Sequence, residues 1–381
     1  MPAPCWSLPD LPDSPPLLVT VFAFLLVLGP LVLVHELGHY LVGRLFKVRI
    51  DAFSIGFGRE VAGWTDRRGT RWKVSALPLG GYVQFHGDMN AASIPGPGEE
   101  GLSPAERAVL FHFKPIWQRA LIVLAGPLTN LFVAVAIFAA FNFGYGKVVA
   151  SPEIAGFSQQ SPARDAGLRV GDRIVAINGQ PIDGFEDIRE KVMPWPGKPV
   201  EVVAERAGTR LTFDFAIAEH VMKDEFGNES RIGLIGIAAG KVRVIPVGAG
   251  EAVTLAWDQS IGIIRMMVTG IGQIFTGDRS VKELGGPIKI AKYSGERFTL
   301  GWPEFTYFAA LISINLAFIN LLPIPGLDGG HLVFYAAEAV RRRPVGARSQ
   351  EWAFRTGMAF VLALMLFVTI NDLASLDLFG G

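Results

Sequence analysis

LLVTVFAFLLVLGPLVLVHELGHYLVGRLF, residues 17–46, is a near-continuous apolar run with two histidines and a glutamate set inside it. About 20 apolar residues suffice for a helix to cross a bilayer. Residues 1–16 contain no Lys or Arg, so the charged start of a signal peptide is missing, and the apolar run is too long for its core. The stretch predicts a transmembrane helix. On a helix, His35 and His39 fall at i and i+4 on one face. That spacing lets both imidazoles bind a single zinc ion, with Glu36 beside the water to be activated. The plainer reading is a polar packing cluster. His and Glu are costly inside a membrane helix and usually functional there, which favours the metal.

Composition agrees with a membrane protein. Half of the 381 residues are hydrophobic and 18% are charged, below the roughly 25% of soluble domains. Formal net charge is zero, which gives no pointer to nucleic acid. A single cysteine, Cys5, excludes an internal disulfide and a cysteine-rich metal site. Three further spans are predicted at 116–143, 303–322 and 353–371. Residues 250–275 carry Glu251, Asp258 and Arg265 among apolar residues, and read as an amphipathic surface helix. The fold class is therefore a polytopic α-helical membrane protein with about four transmembrane helices, a β-hairpin and an inserted α+β domain. Its parts are a membrane portion (1–147), the inserted domain (148–222), a connector with the amphipathic helix (223–300) and a C-terminal membrane portion (301–381). RIVAING, VEVVAER and LTFDFAIA read as strands of the insert. KVSALPLGGYVQF reads as a strand, a Gly-Gly turn and a second strand, and PGPGEEGLSPAE as a flexible loop.

Lys and Arg concentrate at 44–73 and again at Arg341, Arg342, Arg343 and Arg348. The positive-inside rule places both clusters in the cytoplasm. The inserted domain and both termini are then extracytoplasmic. A third zinc ligand is expected on another element at the same depth. NLLPIPGLDGG, residues 320–330, follows the third span. Pro323 and Pro325 stop the helix, and glycines permit irregular backbone, which membrane depth tolerates only around a wet or protein-lined cavity. Asp328 is its one carboxylate. Taken alone it reads as a turn residue capping the next helix; beside HELGH it reads as the third ligand. HELGH and Asp328 meet only if both of their spans run inward, and the span at 116–143 provides the necessary return crossing.

HELGH in the first span, AGPLTN at 125–130, the insert SPARDAGLRVGDRIVAINGQPI at 161–182 and NLLPIPGLDGG together resemble the site-2 proteases. These are intramembrane zinc metalloproteases, and the bacterial regulator-of-sigma-E protease branch is the nearest in pattern. The resemblance implies Zn2+ held by His35, His39 and Asp328, with Glu36 as general base. It implies a substrate-positioning or transition-state role for Asn320, whose alternative is an interhelical hydrogen bond. KVSALPLGGYVQF matches the family's re-entrant hairpin, whose edge around Gly80, Gly81 and Tyr82 would hold substrate as an added strand. Gly126, Pro127 and Asn130 match a motif that packs against the zinc helix and read as structural. The insert looks like a PDZ domain; one signature is present where well-known members of the branch carry two. The implied location is the bacterial inner membrane, in contact with lipid. The implied partners are single-span membrane proteins already trimmed by a site-1 protease, such as anti-sigma-factor or signal-peptide remnants. A transporter would show more polar spans and internal symmetry, and a noncatalytic PDZ-bearing scaffold would have no need of Glu36.

Overall fold

The computed structural model describes residues 15–87, 102–223, 229–277, 280–281, 284–343 and 345–375. Much of the predicted flexible loop, residues 95–101, and the end of the C-terminal tail, 376–381, lie outside them. Four helices are long and apolar enough to cross a membrane: α1 (Leu17–Leu45), α3 (Ile116–Tyr145), α8 (Trp302–Leu321) and α10 (Ala347–Ser375). They are the four predicted spans. The short α2 is Pro104–Val109. α6 (Ala249–Thr276) is long, yet it is not among the helices apolar enough to cross. Two compact units separate, one made of residues 1–137 with 285–370, the other of 138–284 with 371–381.

In the first unit, α7 (Pro287–Thr299) packs beside the start of α1, where Gly295 lies against Thr20. One core joins Ala23, Val27 and Leu31 of α1 to Phe305 and Ile312 of α8. A second joins Tyr40 of α1 and Ile122 of α3 to Phe53 and Phe85 of a sheet. That sheet is built from β1 (Ile50–Thr65) and β2 (Arg71–Phe85).

The sheet corrects the expected hairpin. The chain reverses between β1 and β2 at residues 66–70, where the Asp66 carboxylate accepts from the amides of Arg68 and Thr70 at 2.8 and 2.9 Å. Gly80 and Gly81 lie within the continuous run of β2, and the segments on either side of them, 71–74 and 81–84, do not pair with each other. Both strands bend along their length. Ala52 through Ile55 each have two partners, residues 81–84 on one side and 71–74 on the other. Gly80, at φ +105°, supplies the bend in β2, and Gly56, at φ +89°, the bend in β1. A left-handed φ of that kind is open to glycine at little cost. The Gly-Gly pair still marks a reversal, since residues 71–74 run in the direction of 52–55 and residues 81–84 against it, but the two arms hold Ala52–Ile55 between them instead of pairing with each other.

α8 stops at Leu321, and α9 (Asp328–Arg341) begins after the irregular stretch between them. The backbone folds tightly there: a β-carbon on Gly329 would overlap the carbonyls of Leu321 and Leu322. On its far side α9 is tied to α3 by a partly buried ion pair, Arg119 to Glu338 at 2.8 Å, with Arg119 also over the Tyr335 ring.

In the second unit, residues from β4 (Ile154–Phe157) to Ile237 form one apolar core that includes Ile174, Ile177, Ile188, Val200 and Val202. Its main sheet has the order β6-β5-β7-β8, with β5 Arg173–Ile177, β6 Gln180–Pro181, β7 Pro199–Arg206 and β8 Thr209–Ala216. Alternate β7 residues are buried, as the sequence pattern requires. Asn178-Gly179 and Ala207-Gly208 close its two hairpins with positive φ at both positions, the geometry whose twist matches paired strands. The buried Asp172 carboxylate takes Arg206 Nε at 2.7 Å and the Arg169 amide at 2.7 Å.

Candidate metal centre

His35 and His39 project from successive turns on one face of α1, both buried. Their Nε2 atoms are 3.2 Å apart. Asp328 Oδ2 lies 3.2 Å from His35 Nε2 and 3.5 Å from His39 Nε2. Three donor atoms thus form a nearly equilateral triangle. Ligands about 2.0–2.1 Å from zinc in tetrahedral array stand about 3.3 Å from one another, so the triangle matches three corners of that polyhedron. Asp328 Oδ2 is buried and has no hydrogen-bond partner. An orphaned buried carboxylate oxygen facing two imidazole nitrogens is what a cation would satisfy. The donor set therefore fits zinc. Asp328 is not a helix cap: Leu327 holds the N-cap position of α9, with no side-chain capping bond.

The far nitrogen of each ring is also held. His39 Nδ1 sits 2.8 Å from the Ile122 carbonyl, which accepts only from an N–H. The proton is thereby fixed on Nδ1 and the Nε2 lone pair faces the triangle. His35 Nδ1 is 3.3 Å from the side-chain amide of Asn130, a fully buried residue. With Nδ2 placed toward His35, Oδ1 of Asn130 is left unpaired. Turning the amide over lets Oδ1 accept from His35 Nδ1–H and gives both histidines the same tautomer. The Asn130 carbonyl in turn accepts from Ser313 Oγ of α8 at 2.7 Å. Asn130 thus reaches the site itself, beyond the packing role that its motif suggested.

Gly126, one turn earlier on α3, faces the rings directly. α1 and α3 touch through small residues, for a β-carbon on Gly38 would overlap Thr129 Oγ1 and come within 2.6 Å of the Ala125 carbonyl. Small residues at such contacts let membrane helices approach closely.

A cavity of about 440 Å3 opens beside the triangle, lined by Glu36, Gly81, Tyr82, Asn320, His331 and neighbouring residues. The structure therefore brings together seven of the eight predicted residues. Gly80 is the exception: it sits under the Phe57 ring and does not line the cavity. Gly81 lies against the Glu36 side chain, a β-carbon there falling 3.2 Å from Glu36 Cγ, so the edge of residues 81–85 borders the carboxylate. Asn320 donates to the Leu316 carbonyl of its own helix at 3.0 Å and has no partner on another helix among the described residues. The alternative of an interhelical bond is not seen among the described residues. His331 is the lining residue that motif reading passes over, although it follows LDGG directly in the chain.

A helix-borne histidine pair, a carboxylate from a broken membrane segment and a glutamate beside them define a membrane-embedded metallopeptidase. The profile of peptidase family M50 matches residues 23–364, and the chain belongs to that family, the site-2 protease family. A relative in Agrobacterium fabrum, named as a zinc metalloprotease, is 45% identical over 361 residues, covering 93% of this chain and 96% of its own. A relative in Mesorhizobium japonicum with the same kind of name is 42% identical over 360 residues, covering 93% and 98%. Metalloprotease MmpA of Caulobacter vibrioides is 35% identical over 400 residues, covering 95% and 97%. The chain is accordingly a zinc-dependent metalloendopeptidase and an integral membrane protein. A solved PDZ domain of the SdrC-like protein from Listeria monocytogenes is 20% identical and covers 24% of this chain and 85% of its own, at a TM-score of 0.18. A likeness that low carries no argument.

Proposed function

We propose that this peptidase hydrolyses peptide bonds in or beside the transmembrane segment of other membrane proteins, at a zinc ion held by His35, His39 and Asp328. The observation that carries the reading is the triangle of donor atoms, 3.2–3.5 Å on a side, opening into the cavity that Glu36 lines. Zinc at those donors supplies Lewis acidity toward a carbonyl and makes a nearby water far more acidic. Glu36 is the one carboxylate besides Asp328 in that lining; it takes the water's proton and passes it to the departing amine. Asn130 and the Ile122 carbonyl keep the imidazole lone pairs aimed. Scission requires an extended substrate, because a helix hides its amides. The β2 edge at Gly81, Tyr82 and Val83 offers backbone partners for an added strand, and Asn320, in the same lining, offers the second N–H of its side-chain amide.

The substrates are single-span proteins already trimmed outside by another protease, such as anti-sigma-factor or signal-peptide remnants. This rests on the likeness of the motifs to the regulator-of-sigma-E protease branch. The inserted α+β domain acts as a PDZ-type filter against untrimmed substrates, on the same ground. The same likeness supports a bacterial inner-membrane location, and the Lys and Arg clusters support placing the insert outside.

The test compares wild type with Glu36→Gln in detergent, using a model single-span membrane substrate. The variant should keep full zinc and its fold while cleavage falls by about 10²–10⁴-fold, the usual share of a positioned general base. Turnover near wild type would sink the mechanism, and wild type purified without zinc or without cleavage would sink the reading.

A further inference from the structure

His331 lies one helical turn beyond Asp328 on α9 and lines the same cavity as Glu36, Asn320 and the donor triangle. Its imidazole stacks loosely on Tyr335, with centroids 6.5 Å apart. Among the described residues its ring nitrogens have no hydrogen-bond partner. The residue is half-buried and its ring nitrogens are not sealed from the cavity, so a molecule there can reach them. Nor does it belong to the metal cluster: the donor atoms that lie within 4.8 Å of one another are those of His35, His39 and Asp328 alone among the described residues. An imidazole at the wall of a reaction cavity, outside the ligand set and without a ring hydrogen bond among the described residues, is available to the reacting molecule.

We propose that His331 is a further catalytic residue, whose ring N–H donates a hydrogen bond to the oxygen of the scissile carbonyl as negative charge builds on it. The inference rests on the peptidase reading of the site. Even neutral imidazole keeps one N–H, so the role requires no change of protonation. A donor fixed in place before the reaction stabilises charge that appears in the transition state without reorganisation. α9 is well suited to hold it still. Its first turn is locked by the Gly329 contact with the end of α8, and its last turns are held to α3 by the Arg119–Glu338 pair. Of the other polar groups of the lining, a Glu36 carboxylate acting as base has no proton to donate, Asn320 Nδ2 already gives one N–H to its own helix, and the triangle faces the metal, while Tyr82 keeps its hydroxyl.

The experiment uses the full-length, zinc-loaded protein in detergent with the same single-span substrate, comparing His331→Leu, His331→Gln and Glu36→Gln. His331→Leu should lower kcat by about 10²–10³-fold, the range for loss of one such donor, with KM within about threefold and zinc content unchanged. His331→Gln, which keeps an N–H, should recover at least tenfold of that loss. A His331→Leu enzyme with near wild-type kcat would overturn the proposal. So would a loss that follows zinc content or thermal stability, or a His331→Gln variant no better than His331→Leu. Failure of the peptidase reading would show differently, as absence of zinc-dependent cleavage in wild type or its persistence in Glu36→Gln.

Discussion

Gly126 of α3 lies so close to the α1 histidines that a β-carbon there would overlap His39 Nε2 and come within 2.8 Å of His35 Nε2. The glycine is therefore part of the wall around the donor atoms. Gly126→Ala should push both rings away from Asp328 and lower zinc affinity by at least about tenfold, comparable to losing an outer-shell partner. Metal content after titration with a competing chelator reads this directly. Wild-type affinity in Gly126→Ala would show that α3 can retreat at no cost.

Asp328 and Asn130 should separate as ligand and orienting partner. Loss of an outer-shell partner typically costs 10–100-fold in metal affinity. Asn130→Ala should fall in that range, and Asp328→Ala should exceed it, by about 100-fold or more. Equal losses in both variants, or full loading of Asp328→Ala at unchanged affinity, would move the third ligand elsewhere.

Asp172 provides a pH dependence outside the membrane helices. Burial alone would raise its carboxyl, but the hydrogen bonds from Arg206 and the Arg169 amide and the nearby positive charges outweigh burial and hold it below the ordinary carboxylate range. A depressed folded value means that the stabilisation is fully present above the unfolded value, about 3.9, and disappears as pH falls through the folded one. Hydrogen exchange of β5 and β7 amides in the whole protein, corrected for intrinsic rate, should show steady protection from neutral pH to about 5 and decline below about 4. Asp172→Asn should lose about 1–3 kcal/mol of that protection at neutral pH and flatten the acid limb. An unchanged acid limb in Asp172→Asn would assign the effect to other carboxylates.

The arrangement across the membrane is open to reporter fusions. A fusion after Gly381 should report from outside, and one placed beside Arg343 from inside, because Arg341, Arg342, Arg343 and Arg348 follow the third span. Either result reversed would break the argument that His35, His39 and Asp328 reach one depth through inward-running helices.

What the chain revealed by itself was local. The span at 17–46 needs only length and apolarity, and the His35–His39 pairing needs only helical repeat. The strands of the insert carry a period of two, and their turns carry Asn-Gly or a neighbouring Gly. Asp328 was reachable because few polar residues occur near the prolines after the third span. None of these readings required knowing which elements touch.

Tertiary structure decided the rest. α1, α3 and α8 are apolar around most of their circumference, so no amphipathic stripe marks the inward face. The sequence therefore could not tell that Gly126 and Asn130 face the histidines, or that His331 lines the cavity. The reversal between β1 and β2 shows the same limit. Asp66-Arg67-Arg68-Gly69 and Gly80-Gly81 both reverse the chain, and local rules do not say which arms then pair. The choice falls to the core, where Phe53 and Phe85 are buried together with Tyr40 and Ile122. That burial holds residues 81–85 along Ala52–Ile55, so Gly80 becomes a bend within β2 and its neighbour Gly81 comes to rest against Glu36.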